Sequence, residues 1–86
     1  MAHILIIDDD KEDLFLWRMT LERAEHEVFA LADGGKALDR IASRQPDLVI
    51  TDILMPGLTG GTIYEMIRSE IGPDLPVILC TGSALK

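Results

Sequence analysis

Leu48-Val49-Ile50-Thr51-Asp52-Ile53-Leu54-Met55-Pro56-Gly57 is the stretch on which the reading of this chain turns. Its first four residues are apolar or β-branched, which suits a strand buried on both faces, the usual state of a strand in a parallel sheet. The run stops at Asp52, and Met55-Pro56-Gly57 then breaks regular structure. An acid there stands at the C-terminal end of a central strand, on the rim where open α/β sheets bind ligands. The plainer alternative is an acid that merely leaves a buried strand, with Pro-Gly as turn punctuation.

A second run ends the same way. Ile4-Leu5-Ile6-Ile7 passes directly into Asp8-Asp9-Asp10. If the two strands are parallel neighbours, Asp8, Asp9 and Asp52 converge on one rim. Crowded carboxylates repel, so such a site raises at least one pKa or recruits a cation. Oxygen donors without His or Cys favour a hard ion, Mg²⁺ in the first instance. A calcium loop over residues 8–13 is disfavoured, because the glycine that its turn requires is missing.

Working outward, 86 residues allow at most one small domain, and 48% apolar residues suffice for a core. The balance of 15 acids against 8 bases, a net charge of −7, argues against binding nucleic acid or an anionic membrane. A single cysteine, Cys80, cannot close an internal disulfide, which suits a reducing compartment. No stretch has the ~20 apolar residues of a spanning helix, and the N-terminus lacks the pattern of a signal peptide. The expected location is the cytoplasm.

The spacing predicts strands at residues 3–7, 27–31, 48–51 and 76–80. A helix is expected over residues 12–25 from the recurrence of Leu14, Trp17, Leu21 and Ala24, with Asp10 as its cap, Asp13 favouring the helix dipole, and His26, which tolerates positive φ, as its C-terminal cap. Trp17 reads as packing rather than as a binding aromatic. Ala37, Leu38, Ile41 and Ala42 stripe a second helix ending near Arg44. Asp33-Gly34-Gly35 before it lacks a nucleotide-loop spacing and reads as a turn. Thr59-Gly60-Gly61-Thr62 reads as a flexible lead into a third helix, whose buried face is Ile63, Met66 and Ile67. Cys80 reads as a small apolar side chain rather than a nucleophile. Strand and helix thus alternate, and right-handed crossovers make a doubly wound parallel sheet.

Asp8-Asp9 after the first strand, Asp52 with Met55-Pro56-Gly57, and Thr81-Gly82 after the fourth strand together resemble the receiver domain of bacterial response regulators, over essentially the whole chain. The resemblance implies a flavodoxin-like α/β fold with strand order 2-1-3-4. It also implies a signalling role rather than a conventional enzyme. Asp52 would be the phosphoacceptor, taking a phosphoryl group from a sensor histidine kinase or phosphotransfer protein. Asp8, Asp9, Asp52 and the Leu54 backbone carbonyl would hold Mg²⁺, and Thr81 would contact the phosphoryl group and act as its switch. Gly82 would leave room for the donor.

The same resemblance leads one to expect a lysine and an aromatic on a fifth strand. The chain closes at Lys86, five residues past Thr81, too early to match that lysine. The expectation is therefore a receiver over residues 1–86 that lacks the fourth helix, fifth strand and fifth helix. Val77–Leu79 and Leu48–Ile50 would then expose apolar side chains, and two copies would associate through the fourth-strand region. Two other functions compete. A phosphate-independent receiver-like module would act by protein contact only. A phosphatase using Asp8 and Asp10 would want Thr or Val soon after Asp10, where Lys11 and Glu12 stand.

Overall fold

A computed structural model describes residues 1–53 and 59–80. The elements run β1 (His3–Ile7), α1 (Lys11–Arg23), β2 (Glu27–Leu31), a short 3₁₀ turn (Gly34–Lys36), α2 (Ala37–Ser43), β3 (Leu48–Asp52), α3 (Gly60–Glu70) and β4 (Val77–Cys80). All strand pairs are parallel, in the order β2-β1-β3-β4. Strand order and the three helices agree with the expectation from sequence.

Alternation along the strands sorts the core into two layers. Leu5, Ile7 and Val49 turn to one face and pack with Ala37 and Ile41 of α2 and Ile63 and Ile67 of α3. Ile4, Ile6 and Ile50 turn to the other face and meet Leu14, Trp17 and Leu21 of α1. Trp17 is thus a packing residue. Phe15, Leu16 and Met19 point away from this core and are 62%, 58% and 40% exposed.

Helix ends account for the differences at element boundaries. Asp10 caps α1 by accepting from the Glu12 and Asp13 amides at 2.9 and 3.4 Å. At the other end His26 N donates to Leu21 O and Glu25 N to Glu22 O, the paired bonds of a left-handed C-terminal cap. The residue with positive φ is Glu25, at 68°, and not the expected His26. His26 instead accepts the Ala2 amide on Nδ1 at 3.0 Å, tying the helix exit to the start of β1. The third helix also corrects the sequence reading. Thr59 caps it by accepting from Thr62 N, and the helix begins at Gly60 itself, which is buried. After α3, Arg68 donates to the carbonyls of Gly72 and Leu75 at 3.1 and 2.7 Å, fixing the turn into β4.

The expected exposure of β3 is not found. Val49 and Ile50 are buried and Leu48 is half-buried, because α1 and α3 between them reach across β3. Among the described residues β4 pairs only with β3, and it carries the exposed apolar groups, Ile78 at 49% and Leu79 at 38%. No described helix is long and apolar enough to cross a membrane.

Candidate functional site

Parallel pairing brings the acids together. Ile7 is in register with Thr51, so the next pair, Asp8 and Asp52, leaves the sheet side by side. Both have the parity of Ile6 and Ile50 and therefore lie on the side of α1. Asp8 and Asp52 are almost fully buried, whereas Asp9 is exposed. One carboxylate oxygen from each of the three lies within 4.8 Å of the others.

The backbone around them is pinned. Asp8 N donates to Leu31 O of β2 at 3.1 Å, and the Asp8 carboxylate accepts Asp10 N at 3.0 Å. Ile53 N donates to Cys80 O of β4 at 2.7 Å, and Gly60 N donates to Ile53 O at 3.2 Å. The Thr51 hydroxyl donates to Asp52 O at 3.3 Å.

Burial pushes the Asp8 carboxyl up from 3.8 to about 6. The Asp10 amide opposes this shift, and the charges of Asp52, Asp13 and Asp9 reinforce it. Asp13, which sequence reasoning assigned only to the helix dipole, thus belongs to the site's electrostatics. Cys80, in register with Asp52, has its thiol pushed up by burial and then by Asp52, Asp8 and Asp13. It donates to Thr51 O at 3.7 Å and behaves as packing, not as a nucleophile.

This constellation has known relatives. Residues 4–86 match the family model of the response regulator receiver domain. The chain belongs to the response regulator receiver family. Response regulator MprA of Mycolicibacterium vanbaalenii is 40% identical over 81 residues, which cover 94% of this chain and 35% of that protein. The chain thus spans about a third of the length of such curated relatives. The receiver domain protein of Clostridium thermocellum is 34% identical with a TM-score of 0.87, covering 94% of this chain and 65% of that one. The same identity and TM-score relate it to the complex of histidine kinase ThkA with response regulator TrrA, over 95% of this chain and 70% of the matched one.

Receiver domains are signalling modules of two-component systems, and this receiver carries a carboxylate cluster able to hold a metal ion. The donor set fits Mg²⁺. It is all oxygen, and opposite ligands in an octahedron at ~2.1 Å stand about 4.2 Å apart. The observed span of up to 4.8 Å needs only a small side-chain adjustment or a water in one position. Leu54 and Thr81, with Gly82, lie outside the described residues.

Asp10, the acid of the competing phosphatase reading, caps α1 through one carboxylate oxygen. Sequence reasoning missed Gly60. Two adjacent glycines carry no periodic signal, and only the path of α3 over β3 distinguishes them.

Proposed function

We propose that the chain is one receiver unit over residues 1–86 that accepts a phosphoryl group on Asp52 with the help of Mg²⁺. The observation that carries this reading is the meeting of Asp8, Asp9 and Asp52 at the ends of two adjacent parallel strands. An Asp52 carboxylate oxygen attacks phosphorus of a phosphohistidine, the P–N bond breaks, and the imidazole departs with that electron pair, leaving an acyl phosphate. Phosphoryl transfer is mainly positioning and charge neutralisation. Asp8 and Asp9, with Asp52 and the Leu54 carbonyl, would hold the ion, which would supply positive charge against the crowded carboxylates. Thr81 supplies a hydroxyl to a phosphoryl oxygen.

The donor is a histidine kinase or phosphotransfer protein. It must approach the rim beside the start of α1, where Phe15 and Leu16 are exposed within two turns of Asp9. A small-molecule phosphodonor with Mg²⁺, followed by borohydride trapping and mass mapping, tests the reading. Label should fall on Asp52 and vanish in Asp52→Asn or without Mg²⁺. Label elsewhere, or none, would favour the phosphate-independent module.

Two copies of the 86-residue chain associate through β4, the edge strand among the described residues, where its backbone runs beside the exposed Ile78 and Leu79. Sedimentation at micromolar concentration should show a dimer that Ile78→Lys dissociates. A monomer before substitution removes this part of the proposal alone.

A further inference from the structure

The two glycines at the start of α3 sit in very different surroundings. A Cβ added at Gly61 would meet only Thr59 Oγ1, at 3.9 Å, an ordinary contact. A Cβ added at Gly60 would fall inside the van der Waals surface of the Asp52 carbonyl oxygen. It would also lie 2.9 Å from both the Asp52 carbonyl carbon and Ile53 Cα. These are backbone atoms and cannot swing aside.

Conformation does not explain the glycine. Among the described residues the glycine with positive φ is Gly72, at 133°, and Gly60 occupies an ordinary helical start. Glycine is a poor helix former, so its presence here answers a need for space. That space lets α3 close on the peptide joining Asp52 to Ile53. Cys80 O accepts the N–H of that peptide, Ile53 N, and Gly60 N donates to the next carbonyl along the chain, Ile53 O.

We propose that Gly60 is a positioning residue for Asp52: its bare Cα seats α3 on the Asp52–Ile53 peptide and so sets the direction in which the Asp52 carboxyl leaves the backbone toward Asp8 and Asp9. The proposal rests on the reading of Asp52 as metal ligand and phosphoacceptor. Relieving the clash at Gly60 requires α3 and the end of β3 to separate by roughly 1 Å, and sites of this kind tolerate only ~0.5 Å. The first casualty is the carboxylate cluster, not the core.

The test compares Gly60→Ala with Gly61→Ala in the 86-residue chain by Mg²⁺ affinity, melting temperature without Mg²⁺, and the Asp52 and Ile53 amide resonances. Gly60→Ala should weaken Mg²⁺ binding about tenfold, in the range of losses caused by disturbing groups that orient metal ligands, and should move the Ile53 resonance. Gly61→Ala should raise the melting temperature slightly and leave Mg²⁺ affinity within about twofold, since it adds helix propensity without a clash. Ile67→Val, a buried change about two turns farther along α3, separates positioning from stability: it should lower the melting temperature and leave Mg²⁺ affinity within about twofold.

If Gly60→Ala does not fold, Thr59→Ala replaces it. Loss of that cap loosens the same helix start without a clash and should weaken Mg²⁺ binding about threefold. A folded Gly60→Ala chain with unchanged Mg²⁺ affinity and an unmoved Ile53 resonance overturns the proposal, as does an unaffected Thr59→Ala chain in the second case. A parent chain that neither binds Mg²⁺ nor accepts label overturns the reading of the site instead. The Gly60 assignment is then decided by the Asp52 and Ile53 resonances alone.

Discussion

At the N-terminal ends of the strands, Glu27 of β2 is bound by Arg44, and His3 of β1 stands beside it with Nδ1 3.4 Å from the same carboxylate oxygen. Asp47, just before β3, accepts the His3 amide at 2.8 Å. Each acid there has a donor. At the C-terminal ends of the same strands, Asp8, Asp9 and Asp52 crowd one another, with Asp13 adding to the field. At the first end a cationic side chain, Arg44, meets Glu27, whereas the charged neighbours that act on Asp8 are all acids, an excess that a cation would relieve. On the function proposed above, the first end serves stability and the second chemistry, because a site proposed to bind Mg²⁺ and phosphoryl groups needs charge left over for them.

That contrast can be broken most severely by removing two of the crowded acids. Asp9→Asn combined with Asp52→Asn should weaken Mg²⁺ binding by about 100-fold, since the ion depends on deprotonated oxygen ligands. Isothermal titration calorimetry reads this directly, and unchanged affinity would show that the rim is not the metal site.

Asp8→Asn sharpens the contrast by removing charge without changing shape. Asp8 has a folded pKa of about 6 against 3.8 when unperturbed, so its neutral form is the one the fold prefers. The stability it contributes is complete below about pH 4, declines as pH rises toward 6, and is absent at pH 7. Without Mg²⁺, Asp8→Asn should therefore stabilise the chain at pH 7 by about 2 kcal/mol and flatten its pH dependence between 4 and 6. With Mg²⁺ the parent should gain stability that the variant does not. Urea melts across that pH range, with and without the ion, check both signs.

The opposite end should respond weakly and in the other direction. Glu27→Gln gives up the Arg44 ion pair, whose side chains are 57% and 41% exposed, so the expected loss is about 0.5–1 kcal/mol. It should shrink in high salt, and Mg²⁺ affinity should not change. The smallest effect is expected at the exposed Arg18–Glu22 pair on α1, 3.7 Å apart, where Glu22→Gln should cost only ~0.3 kcal/mol. A large loss at either surface pair would mean that the contrast between the two ends is less sharp than the burial suggests.

Much of this is legible in the sequence. The runs Ile4–Ile7 and Leu48–Thr51, each ending in an acid, announced buried strands with a common rim, because hydrophobic runs and their breaks are local signals. The Asp10 cap and the α1 stripe were equally local. The pairing of Asp8 with Asp52 followed once the resemblance supplied the strand order. Positions whose meaning depends on distant neighbours were misread. His26 looked like the left-handed residue, yet Glu25 takes that role because the Ala2 amide holds the His26 ring. Leu48–Ile50 looked exposed, yet helices from both faces cover Val49 and Ile50.

Sequence by itself thus determined which segments become strands, where they end, and that carboxylates stand at those ends. Only the tertiary structure decided how deeply Asp8 and Asp52 are buried, and therefore that Asp8 resists ionisation while Asp9 faces water. It also decided that Gly60, and not Gly61, touches the Asp52 backbone. The reason is physical: periodicity is written in neighbours along the chain, whereas desolvation and close packing are sums over atoms that folding alone brings together.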